Sequence, residues 1–315
     1  MGNLVKTEQI GRVVVASLDN PPHALMTRPM VSELVELVRA ADADDSIGVV
    51  VLTGAHPERF LAHYDVQELL DNARQAPTLS ARSAAAAVRL GRRAAAVPGG
   101  KSALRRTPGA GLLQLEEFHD VLLRMGRSGT IYIAAINGST AGGGLELSLA
   151  CDLRYLTEGG ELAQPEVLLG IPPGGGGTQR MARLIGRAAA LEIMLSGRPI
   201  PAQEALHLGL VTGLIPEGQL LDTVLEVAAR LATRFKPTVA VIKRAVIEGG
   251  SLPLEDGLDV EKAGLIAMFG EPKVQAAMAA YVDHLERTGE LPANDPTTRQ
   301  ALIQGEFSPF YPAKS

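Results

Sequence analysis

The sequence predicts an α/β fold, and three observations carry the prediction. Short β-branched runs at 12–18 (RVVVASL), 47–53 (IGVVVLT) and 130–136 (TIYIAAI) end at Asp, Gly or Asn, as buried strands do. Apolar residues recur at helical spacing between those runs. Past about residue 197 the strand signals give way to long amphipathic stripes. Strands alternating with helices argue for α/β architecture, and the later stripes argue for a mostly helical C-terminal region.

Each element follows from local pattern. Val31, Leu34, Val35 and Val38 recur at i, i+3, i+4 and i+7, which marks a helix between the first two strands. Residues 80–97 (SARSAAAAVRLGRRAAAV) are Ala-rich enough to be helical, and PGGKSALRRTPGAG at 98–111 breaks that helix. Leu115, Phe118 and Leu122 mark the helix that delivers the chain into the 130–136 strand. Leu145, Leu147, Leu149, Ala150 and Cys151 make the next helix apolar nearly all round, so it is buried. Leu220, Leu221, Val224, Leu225, Ala228 and Leu231 form one later stripe, and Val274, Ala277, Met278, Tyr281, Val282 and Leu285 another. From Pro292 onward the chain is Pro-rich and aperiodic, which predicts an extended tail, packed on a neighbour or mobile.

Composition excludes several function classes. The 315 residues contain no apolar run near the roughly 18 residues of a membrane span. The opening MGNLVKTEQI lacks the apolar core of a signal peptide, and Lys6 stands where a myristoylation signal needs Ser or Thr. The single cysteine, Cys151, allows no internal disulfide and fits a reducing cytoplasm. A net charge of −5 and a 3% aromatic content without Trp argue against a nucleic-acid binder. Charge is nevertheless segregated. Eight cations and no acid lie between Arg74 and Arg106, which leaves −13 on the remainder. That stretch reads either as a solvated surface excursion or as an electropositive rim for a phosphorylated ligand.

Familiar motifs fail on spacing. GGKS at 99–102 would need glycine at Ala95 to be a phosphate loop. Ser139 lacks the upstream glycine of a nucleophile elbow, since Asn137 stands there. His23, His56, His63, His119, His207 and His284 show no metal-ligand spacing, so no metal site is expected. GAG at 109–111 follows no strand and lacks a third glycine.

The informative stretch is 130–180. A strand runs into GSTAGGG at 138–144 and then into the apolar helix, with Glu146 in its first turn. Glu146 could cap the helix, stay exposed, or lie buried among leucines. Burial would cost several kcal/mol unless the carboxyl were paired or protonated, which would mark it as functional. Glycines at a helix start let a ligand oxygen approach backbone N–H groups at the positive helix end. Twenty residues on, Glu166 follows Pro165 and precedes VLLGIPPGGGG. Two glutamates beside glycine-rich backbone suit acid/base chemistry on a substrate that develops an oxyanion.

The segments NGSTAGGGLELSLACDLRYL, AQPEVLLGIPPGGGGTQR and ERFLAHYDVQEL closely resemble the crotonase (enoyl-CoA hydratase/isomerase) superfamily. The resemblance runs from NPPHALMTRPMVSEL at 20–34 through GLVTGLIP at 209–216 to KPTVAVIKRAV at 236–246, interrupted by the basic insertion at 74–110 and the tail. It implies a spiral of ββα units over 1–196, a helical trimerisation region over 197–290, a tail at 291–315, and a homotrimer or a hexamer made as a dimer of trimers. It also implies an acyl-CoA substrate, with coenzyme A belonging to the substrate and no separate cofactor.

Carried over residue by residue, the resemblance places the oxyanion amides at Tyr64 and Gly143. Glu146 and Glu166 become the pair that activates water and delivers its proton, and Gly174 a water-placing amide. Ala24, Ala62, Asp65, Val66 and Gly142 fall at positions lining the CoA and acyl path. Retention of both glutamates implies hydration of a 2-enoyl-CoA. The alternatives are an isomerase or other acyl-CoA reaction of the superfamily, or a catalytically silent scaffold. Two departures stand out: His63 and Tyr64 replace the usual Gly and small residue, and the basic insertion occupies a variable loop over the entrance. His63 is either a surface substitution or a new polar group near the thioester. Arg82, Arg89, Arg92, Arg93 and Lys101 are candidates to meet the CoA phosphates.

Overall fold

The structure is a computed structural model, and it describes residues 3–311 except 96, 98, 105, 106, 108 and 109. The chain opens with a hairpin, β1 (Val5–Ile10) and β2 (Val13–Leu18), turned at Gly11 with φ of +60°. Helix α1 (Arg28–Ala43) follows; of its predicted stripe Val31, Leu34 and Val38 are buried and Val35 is partly buried, with Met30 and Ala41 added to the buried face. β3 (Val49–Gly54) and β4 (Arg59–Leu61) lead to α2 (Val66–Gln75), α3 (Ala81–Ala95), α4 (Gly100–Leu104) and α5 (Ala110–Arg127). Next come β5 (Ile131–Ile136), β6 (Ser139–Ala141), α6 (Gly143–Ala150), β7 (Leu153–Thr157) and β8 (Glu161–Ala163). A 3-10 turn at Glu166–Leu169 precedes α7 (Gly177–Ile185), α8 (Arg187–Ser196), β9 (Pro199–Pro201), α9 (Ala202–Leu208) and β10 (Gly213–Ile215). The remaining helices are α10 (Leu220–Leu231), α11 (Lys236–Ile247), α12 (Leu254–Phe269), α13 (Pro272–Thr288) and α14 (Pro296–Gln304).

From β3 to β8 successive strands go to alternate sheets. A six-stranded sheet has the order β1-β2-β3-β5-β7-β10, parallel except for β1, and a smaller sheet has the order β4-β6-β8-β9. The pairs β3–β4, β5–β6 and β7–β8 thus each place one strand in the large sheet and the next in the small one, as in the ββα spiral that the resemblance implies. The continuous apolar runs of β3 and β5 are explained by burial of both faces. Val50, Leu52, Tyr132 and Ala134 pack on the side of α1 and α5, while Val49, Val51, Ile131 and Ile133 pack against Val224 and Ala228 of α10.

The structure departs from the sequence pattern in three places. β1 escaped the strand pattern because VKTEQI lies at the sheet edge and buries only Val5. The spiral core extends past residue 196, since β9 and β10 pair with β8 and β7. The tail is not extended throughout: Asp295 caps α14 by accepting from the Thr298 amide at 2.7 Å, with Pro296 at its first position. This end packs on its own chain, with Tyr311 under the Arg12 guanidinium at 3.4 Å and Phe310 stacked on Phe235. The DPTT sequence carried that cap signal, although apolar periodicity did not. The expected helix within the basic insertion is α3. Arg105, Arg106 and the side chain of Lys101 lie outside the described residues.

Candidate active site

The site forms where β4 and β6 of the small sheet feed α2 and α6. The loop after β4 is pinned by the segment at 24–26: the Ala62 amide donates to the Ala24 carbonyl, Met26 to His63, and Asp65 to Met26, each at 2.8 Å. In this parallel bridge, Met26 spends its hydrogen bonds on residues 63 and 65, so the Tyr64 amide points away from it. Asp65 is committed to the α2 cap through the Gln67 amide at 2.8 Å, and Val66 begins that helix partly exposed. Ala24 is buried, and Ala62 is half-buried beside it.

Gly142 caps α6 with φ of +48° and ψ of −124°, a conformation that suits glycine. Gly143 then lies hard against the other loop. A methyl group on it would fall 3.3 Å from Tyr64 Cβ and 3.6 Å from the Tyr64 nitrogen. Neither the Tyr64 nor the Gly143 amide donates to a described residue, and Gly143 opens a helix whose first-turn amides have no internal acceptor. The two predicted amides are therefore neighbours. Gly143→Ala is expected to push the loops apart by a few tenths of an ångström and lower kcat/KM for an enoyl thioester by about 10²-fold, which steady-state assays will read.

Of the three places open to Glu146, the structure shows burial, in the first turn of α6. Its Oε1 accepts from the Gly175 amide at 2.8 Å and the Gly177 amide at 2.7 Å. Burial pushes its carboxyl up to about 7, opposed by the Gly177 and Gly175 amides and Arg180, and reinforced by Glu166. Arg180 braces the same loop by donating to the Gly175 carbonyl at 3.1 Å. Gly174 is exposed, and its carbonyl is bonded to His119 Nε2 at 2.6 Å.

Glu166 is half-buried at the start of the 3-10 turn. Oε1 accepts from Gln164 Nε2 at 2.7 Å, whereas Oε2 is buried without a partner among the described residues. Oε1 also lies 3.1 Å from where a Gly142 Cβ would sit. Burial raises this carboxyl as well, opposed by its own backbone, Gln164 and the charge of His63. The two glutamates, separated by twenty residues, thus converge on the glycine caps of α6 and α7.

Sequence reasoning missed the residues that brace these groups. The Tyr64 hydroxyl donates to Glu68 Oε2 at 2.6 Å, and Gln114 of α5 donates to the Tyr64 hydroxyl. Burial, with Glu68 next, raises the phenol well above its ordinary range. Glu68 lies four residues beyond Tyr64, a spacing that offered a clue; Gln114 and Gln164 had none. A separate cleft of about 770 Å³ opens beside the ends of β3, β5 and β7, lined by Arg59, Asn137, Glu161 and Glu217. It includes neither glutamate of the glycine loops.

A family model described as enoyl-CoA hydratase/isomerase matches residues 103–288. A short-chain-enoyl-CoA hydratase of Clostridium acetobutylicum is 29% identical over 89% of this chain and 95% of its own length. A probable mitochondrial enoyl-CoA hydratase of Dictyostelium discoideum is 30% identical over 88% and 87%. The crystal structure of an enoyl-CoA hydratase from Bacillus anthracis superposes with a TM-score of 0.72 at 27% identity, covering 90% of this chain and 97% of that one. With the glycine loops and paired carboxylates in place, these likenesses establish that the chain belongs to the enoyl-CoA hydratase/isomerase family.

Proposed function

We propose that the chain hydrates a 2-enoyl-CoA to the 3-hydroxyacyl-CoA. The observation that supports this most is the pair Glu146 and Glu166, both withdrawn from solvent on loops that also set Gly143 against Tyr64. In this reading the Tyr64 and Gly143 amides receive the thioester oxygen. A water between the carboxylates gives up a proton as its oxygen bonds C3. The C2–C3 π electrons move into the enolate, and the proton returns from the carboxylate pair to C2. Holding the enolate on two fixed amides contributes about 3–4 kcal/mol per donor. The unpartnered Glu166 Oε2 suits a contact to that water. Gly174, Ala24, Ala62, Asp65, Val66 and Gly142 complete the pocket and its approaches. The test is turnover of crotonyl-CoA and longer 2-enoyl-CoA esters; failure to hydrate any of them sinks the reading.

The exposed arginines extend the proposal to the CoA phosphates. At 100° per residue, Arg82, Arg89 and Arg93 fall in one stripe of α3, while Gly91 on the other face meets Leu112 of α5. Leu115, one turn along α5, lies beside Gly174, so the basic helix borders the site. Added salt should therefore raise KM for crotonyl-CoA several-fold and leave the phosphate-poor crotonyl-pantetheine nearly unchanged.

The C-terminal helices carry the oligomer proposal. Val246, Leu254 and Ile266 are 69%, 78% and 69% exposed, and α11, α12 and α13 enclose an apolar groove of about 400 Å³. A face this apolar argues for burial against other copies, as a trimer or a dimer of trimers. Light scattering on the intact protein should give the mass of three or six chains.

A further inference from the structure

Helix α5 touches the site at two points and has no place in the scheme above. Gln114 reaches the Tyr64 hydroxyl, and further along the same helix His119 meets the glycine loop that holds Glu146. His119 Nε2 lies 2.6 Å from the Gly174 carbonyl. A carbonyl only accepts, so Nε2 carries the hydrogen and donates it, and the bond needs no charge on the ring.

The Gly174 carbonyl and the Gly175 amide belong to one peptide unit. That unit is planar and trans, so a donor that fixes the carbonyl also fixes the N–H, which points the opposite way. The Gly175 N–H donates to Glu146 Oε1 at 2.8 Å. Imidazole, peptide and carboxylate therefore form one chain of hydrogen bonds, in which each bond polarises the next. Arg180 fixes the following peptide in the same manner, by donating to the Gly175 carbonyl at 3.1 Å.

The loop depends on such outside support. Gly174 to Gly177 are four successive glycines, with no side chains to restrict their backbone. At Gly175 a side chain is excluded, because a Cβ there would collide with Glu146 Oε2 and with Phe118 Cε1. Phe118 and His119 are neighbours on α5, so the ring packed behind Gly175 and the donor to Gly174 come from one turn of one helix.

We propose that His119 is a positioning residue for Glu146: by donating to the Gly174 carbonyl it aims the Gly175 N–H at the carboxylate and holds Glu146 in place for proton transfer. The proposal rests on the hydratase reading and goes beyond it by making α5 the support of the acid/base loop.

The experiment compares the intact protein with His119→Leu, which removes the donor, and His119→Gln, whose side-chain amide restores one at similar reach. His119→Leu should lower kcat for crotonyl-CoA about tenfold, with KM and the affinity for a saturated acyl-CoA within about twofold. In His119→Gln, kcat should recover to within about threefold of the unmutated protein. A kcat unchanged in His119→Leu, a loss carried by KM instead, or no recovery in His119→Gln would overturn the proposal. Hydrogen exchange followed by mass spectrometry needs no turnover. Exchange across 172–180 should quicken in His119→Leu and slow again in His119→Gln; unchanged exchange there, or a rise spread over the whole chain, refutes the brace. If the unmutated protein hydrates no enoyl-CoA while the local exchange change is present, the hydratase reading fails and the brace stands.

Discussion

Glu166→Gln is expected to lower hydration of crotonyl-CoA by about 10²- to 10⁴-fold while leaving affinity for a saturated acyl-CoA within a few-fold. The amide can still accept from Gln164 through its oxygen, so the 3-10 turn keeps its contact. What is lost is the proton capacity of a carboxylate whose second oxygen has no partner among the described residues. Turnover measurements with isothermal titration separate these effects. Unchanged turnover would remove Glu166 from the chemistry, and loss of acyl-CoA binding would make its role structural.

Glu146→Gln carries an expectation of opposite sign for activity and stability. Activity should fall by a comparable factor, because the buried carboxyl is the other half of the pair. Stability should rise at alkaline pH. Burial raises the folded-state pKa from 4.5 to about 7, so folding favours the protonated form. The stability from that preference is fully present below 4.5 and lost as pH rises through 7. Above that, the buried anion costs about 3 kcal/mol relative to a neutral isostere, and the glutamine oxygen can still accept from Gly175 and Gly177. Urea denaturation at pH 8.5 should show the variant more stable by about 1–3 kcal/mol, with the difference vanishing near pH 4. The same titration sets the wild-type activity limb: kcat/KM should fall as pH drops through about 7.

Much of this site was legible because its needs are local. A glycine run at a helix start, an apolar helix with one glutamate, and a second glutamate before a glycine loop are all contiguous in sequence. The large-sheet strands were legible because burial on both faces leaves β-branched runs, as at Val49–Gly54 and Ile131–Ile136. What was not legible depends on pairing at a distance. Nothing near Glu146 announces that Gly175 and Gly177, 29 and 31 residues on, supply its donors. Nothing near Tyr64 points to Gln114, 50 residues away. The edge strand Val5–Ile10 is polar because only one of its residues faces the core, and the tail helix is set by a cap rather than by a stripe.

The alternation of strands between two sheets also has a bearing on time. The small sheet pairs Arg59 with Ser139, and the Thr140 hydroxyl reaches the Leu61 carbonyl across 79 residues. Such closures cost chain entropy before they return any contact, so they belong to slow-forming topology. The loop bearing Tyr64 and the cap bearing Gly143 meet only once that closure is made. Regain of turnover after dilution from denaturant therefore marks the end of folding, trailing any signal from the locally nucleated helices.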